Sequence, residues 1–225
     1  LDGKQVVEVR KNNKWFFVYD GEKIGDEYDD VYWLRKIDGK FAFEARNDNK
    51  SFVVYDGKKI GDGYDDVYYD ITEIDGKLAF KARKDEKWFV VYDGQELGKG
   101  YQFVSEVSKI GGRLAFRARN SKGLYDPWQF VVYNGQEIGE YDYVGWLTEI
   151  NGKLAFDARK DNKSFVVYDG KKIGDEYDSV GDLEEIDGKL VFKARKDDKE
   201  IIVYDGQEIG DEYDEIKHFT KINGK

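Results

Sequence analysis

The chain has no cysteine, no methionine, one histidine and one proline in its 225 residues. Without cysteine there is no disulfide staple and no thiol nucleophile. With a single imidazole the Cys/His metal sites drop out too, so neither a metal nor a cofactor is expected. One proline leaves the backbone almost free of ladder breaks. Basic residues are the minority charge, 37 against 47 acidic for a formal net charge of -10, which argues against a broad phosphate-binding surface and against nucleic acid as a partner. No apolar run approaches the ~20 residues of a membrane span, and residues 1–30 are too charged for a signal peptide, so no membrane insertion is expected. The absent initiator methionine implies a chain processed or taken from something longer.

What is abundant points to β structure: aromatics make up 16% of the chain, with 17 tyrosines, and there are 25 glycines. The phrase Ile-Asp-Gly-Lys-Leu-Ala-Phe-Lys-Ala-Arg at 74–83 recurs with variation from Leu1, Ile37, Ile110, Ile150 and Ile186, and its opening returns at Ile222, giving periods of 36, 37, 36, 40, 36 and 36 residues. Within a period the pattern predicts a strand at Leu78 to Arg83, a polar turn, a strand at Phe89 to Tyr92, an Asp93-Gly94 hairpin, a short strand from Gln95 to Leu97, and a fourth from Val104 to Ile110. Asp-Gly or Asn-Gly follows the second strand at Asp20, Asp56, Asp93, Asn134, Asp169 and Asp205, and a tyrosine comes after it at Tyr28, Tyr64, Tyr101, Tyr141, Tyr177 and Tyr213. Phe89-Val-Val-Tyr92 is apolar at successive positions, so both faces of the sheet must be covered. The first and last repeats look like the middle ones and carry no polar caps, which favours a closed β-propeller over a solenoid.

The Asp-Gly-Lys-Leu-Ala-Phe phrase, its charged turn and the Phe-Val-Val-Tyr-Asp-Gly strand resemble the WD-like repeats of Tol-type β-propellers over essentially the whole chain. The turn departs from that family, reading Ile-Asp-Gly or Ile-Asn-Gly where Ser-Pro-Asp-Gly is usual. The resemblance implies one all-β domain over 1–225, a six-bladed propeller of four-stranded antiparallel blades. The segment before each Asp-Gly turn would be the innermost strand: Val31 to Ile37, Val67 to Ile74, Val104 to Ile110, Val144 to Ile150, Val180 to Ile186 and Ile216 to Ile222. Because the chain starts and stops at one phase of the repeat, 214–222 is expected to pair with the strand from Lys4 to Arg10 and close the ring.

With six near-copies in one chain, positions required by the scaffold should recur and positions given to a ligand can diverge. Arg10, Arg46, Arg83, Arg119, Arg159 and Arg195 recur, and the expectation is a structural clip to the Tyr-Asp carboxylates Asp29, Asp65, Asp142, Asp178 and Asp214, with Gln102 the exception, or to a rim carbonyl. The third residue of the inner strand diverges instead: Trp33, Tyr69 or Asp70, Glu106, Trp146, Asp182 and His218. Trp beside Asp or Glu is the chemistry of sugar or cation recognition. A second divergence is the insertion 120–129, which carries Tyr125 and Trp128 on a longer loop. The acidic turns, such as 25–30, lack calcium-loop spacing and read as a solvated rim. The one histidine has no nucleophile beside it in the sequence, so the expected function is a monomeric, non-catalytic binding propeller taking a protein or glycan at the channel mouth. Two other readings stay open: a glycan-processing enzyme using Glu106 and Asp182, and a purely structural domain of a larger protein.

Overall fold

The computed structural model describes residues 5–68, 71–105, 107–121, 123 and 126–217. The chain forms two compact units, Leu1–Val107 and Ser108–Lys225. Among the described residues all of the regular structure is antiparallel β.

In the first unit one sheet has three strands, Val6–Lys11, Lys14–Tyr19 and Glu22–Tyr28, and the next has four, Asp30–Ile37, Lys40–Asn47, Lys50–Tyr55 and Lys58–Tyr64. A third follows with Lys77–Lys84, Lys87–Tyr92 and Gln95–Tyr101, its inner strand split into Asp66–Val67 and Thr72–Ile74. The second unit repeats the plan. Ser108–Ile110, Arg113–Arg119, Phe130–Tyr133 and Gln136–Ile138 are followed by a sheet of Lys153–Lys160, Lys163–Tyr168 and Lys171–Tyr177, whose inner strand is Tyr143–Val144 plus Thr148–Ile150. Ser179–Ile186, Lys189–Lys196, Lys199–Tyr204 and Gln207–Tyr213 complete it. Each sheet is laid down in sequence order, and two-residue hairpins join neighbouring strands everywhere but between Arg119 and Phe130. Their residues sit at positive φ, such as Asp48 and Asn49 at 51° and 59° and Asp56 and Gly57 at 51° and 72°, which matches the twist of the strands they join.

Residues 48–62 and 161–175 are identical in sequence. They form the same hairpin, with Val53 opposite Ile60 in one unit and Val166 opposite Ile173 in the other.

Stacking follows from the large and small alternation. Phe43, Phe80, Phe116, Phe156 and Phe192 are fully buried with Ala42, Ala45, Ala79 and Ala82 beside them. The repeated tyrosine latches one sheet to the next by edge-to-face contact: Tyr28 lies 5.9 Å from Phe43 and 5.7 Å from Phe52, Tyr64 6.3 Å from Phe80, and Tyr177 6.3 Å from Phe192. Such pairs contribute roughly 0.5–1.5 kcal/mol each beyond area burial. The turn glycine makes room for that ring; a Cβ on Gly61, at φ +72°, would meet Tyr64 at 2.6 Å.

Two expectations are corrected. The Tyr-Asp carboxylates are held by lysines and turn amides, whereas the recurrent arginines reach other partners. Lys14 bonds Asp29 at 2.6 Å, Lys50 bonds Asp65 at 2.7 Å and Lys163 bonds Asp178 at 3.3 Å. The other oxygen of each accepts the amide of the following sheet's first hairpin, Asp48 at 2.9 Å, Asp85 at 3.0 Å and Asp197 at 3.1 Å, so the aspartate staples one sheet to the next. The arginine contributes its backbone carbonyl: those of Arg46, Arg83 and Arg195 accept from the amides of Asp29, Asp65 and Asp178. The guanidinium groups differ in partner: Arg10 lies over Trp15 and Arg83 over Trp88, Arg46 bonds Ser51, Glu44 and Asp66, and Arg119 donates to the Asp126 carbonyl. The second correction concerns the inner strands, which are bent or broken rather than continuous. As for the closing strand expected at 214–222, residues 214–217 carry no strand and 218–222 lie outside the described residues.

Candidate functional site

The break in the inner strand falls at the diverging position. In Asp30–Ile37, Tyr32 pairs with Glu44 and Arg35 with Ala42, so Trp33 and Leu34 together face Phe43 alone, a β-bulge. In Ser179–Ile186, Asp182 and Leu183 face Phe192 in the same way. The bulge residue takes a left-handed backbone, φ 58° at Trp33 and 50° at Asp182. Every other non-glycine at positive φ among the described residues is Asn or Asp, apart from Glu86 in a hairpin. Asn and Asp tolerate that conformation; an indole does not, at a cost of order 1–2 kcal/mol.

The residue across from the start of the bulge is Glu44 in one sheet and Lys193 in the other, mid-strand between the buried Phe and Ala. The same repeat position carries Lys81, Arg117 and Asp157, and of the five Glu44, Lys81 and Arg117 are buried. The sequence reading passed over this position, although a changing charge sign between two invariant apolar neighbours was a visible signal.

In the first unit these elements enclose a cleft of about 320 Å³ lined by Tyr32, Trp33, Glu44, Arg46, Asp66, Val67 and Tyr68. Glu44 is 3% exposed, and burial pushes its carboxyl above the ordinary glutamate value, against the opposing pull of Ser51 and Arg46. Its Oε1 accepts Ser51 Oγ at 2.9 Å and Arg46 Nε at 3.3 Å. Arg46 Nη2 reaches Asp66 Oδ1 at 3.1 Å, and the guanidinium lies 5.5 Å from the Tyr32 ring. One guanidinium therefore spans two carboxylates across two neighbouring sheets. Above this polar floor the Trp33 indole is 58% exposed and Tyr68, set against Trp88 at 5.6 Å, is 39% exposed.

In the second unit the counterparts are arranged differently. Arg117 donates to the Gly145 carbonyl at 2.9 Å and is flanked by Trp146 at 4.5 Å and Trp128 at 5.2 Å. Burial lowers the Arg117 pKa and raises that of Asp157. Trp146 is 76% exposed on this cation, while Trp128 packs against the core of its unit and also receives Arg119. Asp182 forms an ion pair with Lys193 at 2.5 Å. Thus the structure brings Trp128 and Trp146 together on Arg117 and gives Trp33 a cleft of its own. Tyr69, Asp70, Glu106, Tyr125 and His218 lie outside the described residues. Among the described residues no His/Cys/Asp/Glu cluster is arranged to hold a metal ion.

No family model and no curated protein matches the chain. Among solved structures it is similar to the β-propeller domain of the Trilobed protease from Pyrococcus furiosus, described as having an open velcro topology, with 18% identity, 92% of this chain and 78% of that chain covered, and a TM-score of 0.42.

Proposed function

We propose that the chain is a monomeric, non-catalytic binding module whose six sheets serve as blades of one propeller, taking a protein or glycan ligand in the cleft beneath Trp33. The observation that carries the site is the exposed indole on a strained backbone. The equivalent bulge in 179–186 is made with Asp182, so the fold does not require tryptophan there. An outlier the scaffold can do without points to a ligand. The non-catalytic reading rests on Arg46, which holds Glu44 and Asp66 at once and leaves neither as an isolated acid or base. The propeller reading rests on the repeats and on Tyr213. Tyr28, Tyr64, Tyr101 and Tyr177 are buried, whereas Tyr213 is 39% exposed and Asp214 has its lysine, Lys199 at 2.5 Å. That face is equipped for one more sheet.

A glycan array and a peptide array probed with the wild type and with Trp33→Ala test the site: hits are expected that the variant loses. Incubating each hit with the protein and weighing the products by mass spectrometry tests the second part. Turnover that disappears in Glu44→Gln would replace the binding module with an enzyme.

A further inference from the structure

Resting on the cleft assigned above, we propose that its ligand is a neutral glycan, with a pyranose ring laid on the Trp33 indole and its hydroxyls bonded to Asp66 and Arg46. The charge arrangement selects the class. Both carboxylates are already bonded to the same guanidinium, so a cationic ligand would have to compete with a fixed Arg46 at 3.1–3.3 Å, and an anionic one would meet Glu44 and Asp66 behind it. A ligand carrying no net charge meets neither penalty.

The surface chemistry narrows the class further. The polar floor offers an acceptor in Asp66, 39% exposed, and donors in Arg46, 35% exposed, the complementary pair that a hydroxyl, being both donor and acceptor, can satisfy in one step. The walls offer aromatic faces in Trp33 and Tyr68, and the one aliphatic lining residue, Val67, is itself buried. An apolar peptide would find little aliphatic surface there. A pyranose has what the cleft lacks, a patch of C–H bonds on one face for the indole and hydroxyls around its edge for the floor. The volume, about 320 Å³, lies at the small end of ligand clefts and suits a mono- or disaccharide unit of a longer chain.

The counterpart positions in 143–150 and 179–186 are occupied differently. Trp146 lies over the Arg117 guanidinium, and Asp182 is paired with Lys193. Asp182 pairs with the mid-strand cation of its own sheet, and Trp146 with that of the sheet before it, the mid-strand residue of Trp146's own sheet being the acid Asp157.

The test uses the whole chain labelled with ¹⁵N, whose five tryptophans give five indole N–H signals. The Trp33 signal is assigned by its loss in Trp33→Phe. Neutral gluco-, manno-, galacto- and xylo-configured oligosaccharides are titrated, with polygalacturonate, oligolysine and oligoglutamate as charged probes. At least one neutral oligosaccharide is expected to shift the Trp33 signal saturably. Affinity should fall at least about tenfold in Trp33→Ala and in Asp66→Asn, survive in Trp33→Phe, and stay unchanged in Trp146→Ala. If no neutral oligosaccharide shifts that signal but a charged probe does, the glycan class is overturned and the cleft stands. If an oligosaccharide binds equally to wild type, Trp33→Ala and Asp66→Asn, the cleft is overturned. Silence across all probes overturns the glycan inference.

Discussion

Replacing Trp33 by Asn should leave the fold almost as stable as before while removing the binding surface. Two terms oppose each other. Releasing a bulky side chain from φ 58° returns about 1–2 kcal/mol, since Asn adopts that region readily. Against it stands the part of the indole that is covered. With 58% of Trp33 exposed, the remaining two-fifths of its surface is in contact. For a side chain that buries up to about 250 Å² this is roughly 100 Å², or about 2.5 kcal/mol at 25 cal/mol per Å², reduced by a compact unfolded chain to about 1.5–2 kcal/mol. The expected net change is within about 1 kcal/mol of zero, read as the urea midpoint followed by far-UV circular dichroism, because removing a tryptophan would distort a fluorescence readout. A loss of 3 kcal/mol or more, of the size expected for a core aromatic, would show that the indole is part of the packing and would refute the argument from strain.

The matching control is Phe80→Ala. This ring is fully buried, and its removal should lower stability by about 3–5 kcal/mol in the same assay. Glu44→Gln should have a pH-dependent effect. Burial raises the Glu44 pKa, so ionisation is harder in the folded than in the unfolded chain, and its cost grows as pH rises from the ordinary value of 4.5 through the raised one. The variant should therefore gain in urea midpoint at pH 7, and the gain should vanish below 4.5; an equal effect at both ends would contradict the assignment. The staple aspartates have the opposite sign. Lysine partners depress Asp29 and Asp65, and the Asp197 amide together with Lys163 depresses Asp178, so their contribution is present above 3.8 and lost as pH falls through the lowered values. Asp65→Asn should flatten part of that acid limb, and salt near 1 M should shrink the difference, as surface ion pairs are screened there.

The repeat, its hairpins and the order of strands were legible because each is a local signal. Asp56-Gly57 and its relatives demand positive φ, and the alternation of Phe43 with Ala42 and Ala45 demands a covered face. The diverging positions were legible as well, since Trp33 and Asp182 differ where the scaffold recurs. Their geometry was hidden, because a bulge is a mismatch of register between two strands, and one strand's sequence does not contain it. The same limit explains the aspartate staple. Lysine and arginine both recur at fixed spacing from Asp65, and only the pairing of Arg83 with Trp88 and the reach of Lys50 decide which cation meets the carboxylate. Glu44 was missed for a related reason. A charge between Phe43 and Ala45 can be buried only with partners, and the reach of Ser51 to Glu44 and Arg46 comes from the pairing of two strands rather than from the residues of one.

The identical hairpins at 48–62 and 161–175 bear on how the chain reaches its fold. Nothing in either segment tells a folding chain which copy it holds, so 50–55 could pair beside 153–160, and 163–168 beside 40–47, with every backbone bond made. Two-residue turns work against the exchange, because each strand meets its own neighbour within microseconds, long before a distant copy arrives. What remains to distinguish the copies is the strand just before each, where Glu44 stands in one and Asp157 in the other, with Arg46 and Arg117 as their respective cations. Refolding at high protein concentration should therefore trap chains that have traded these hairpins.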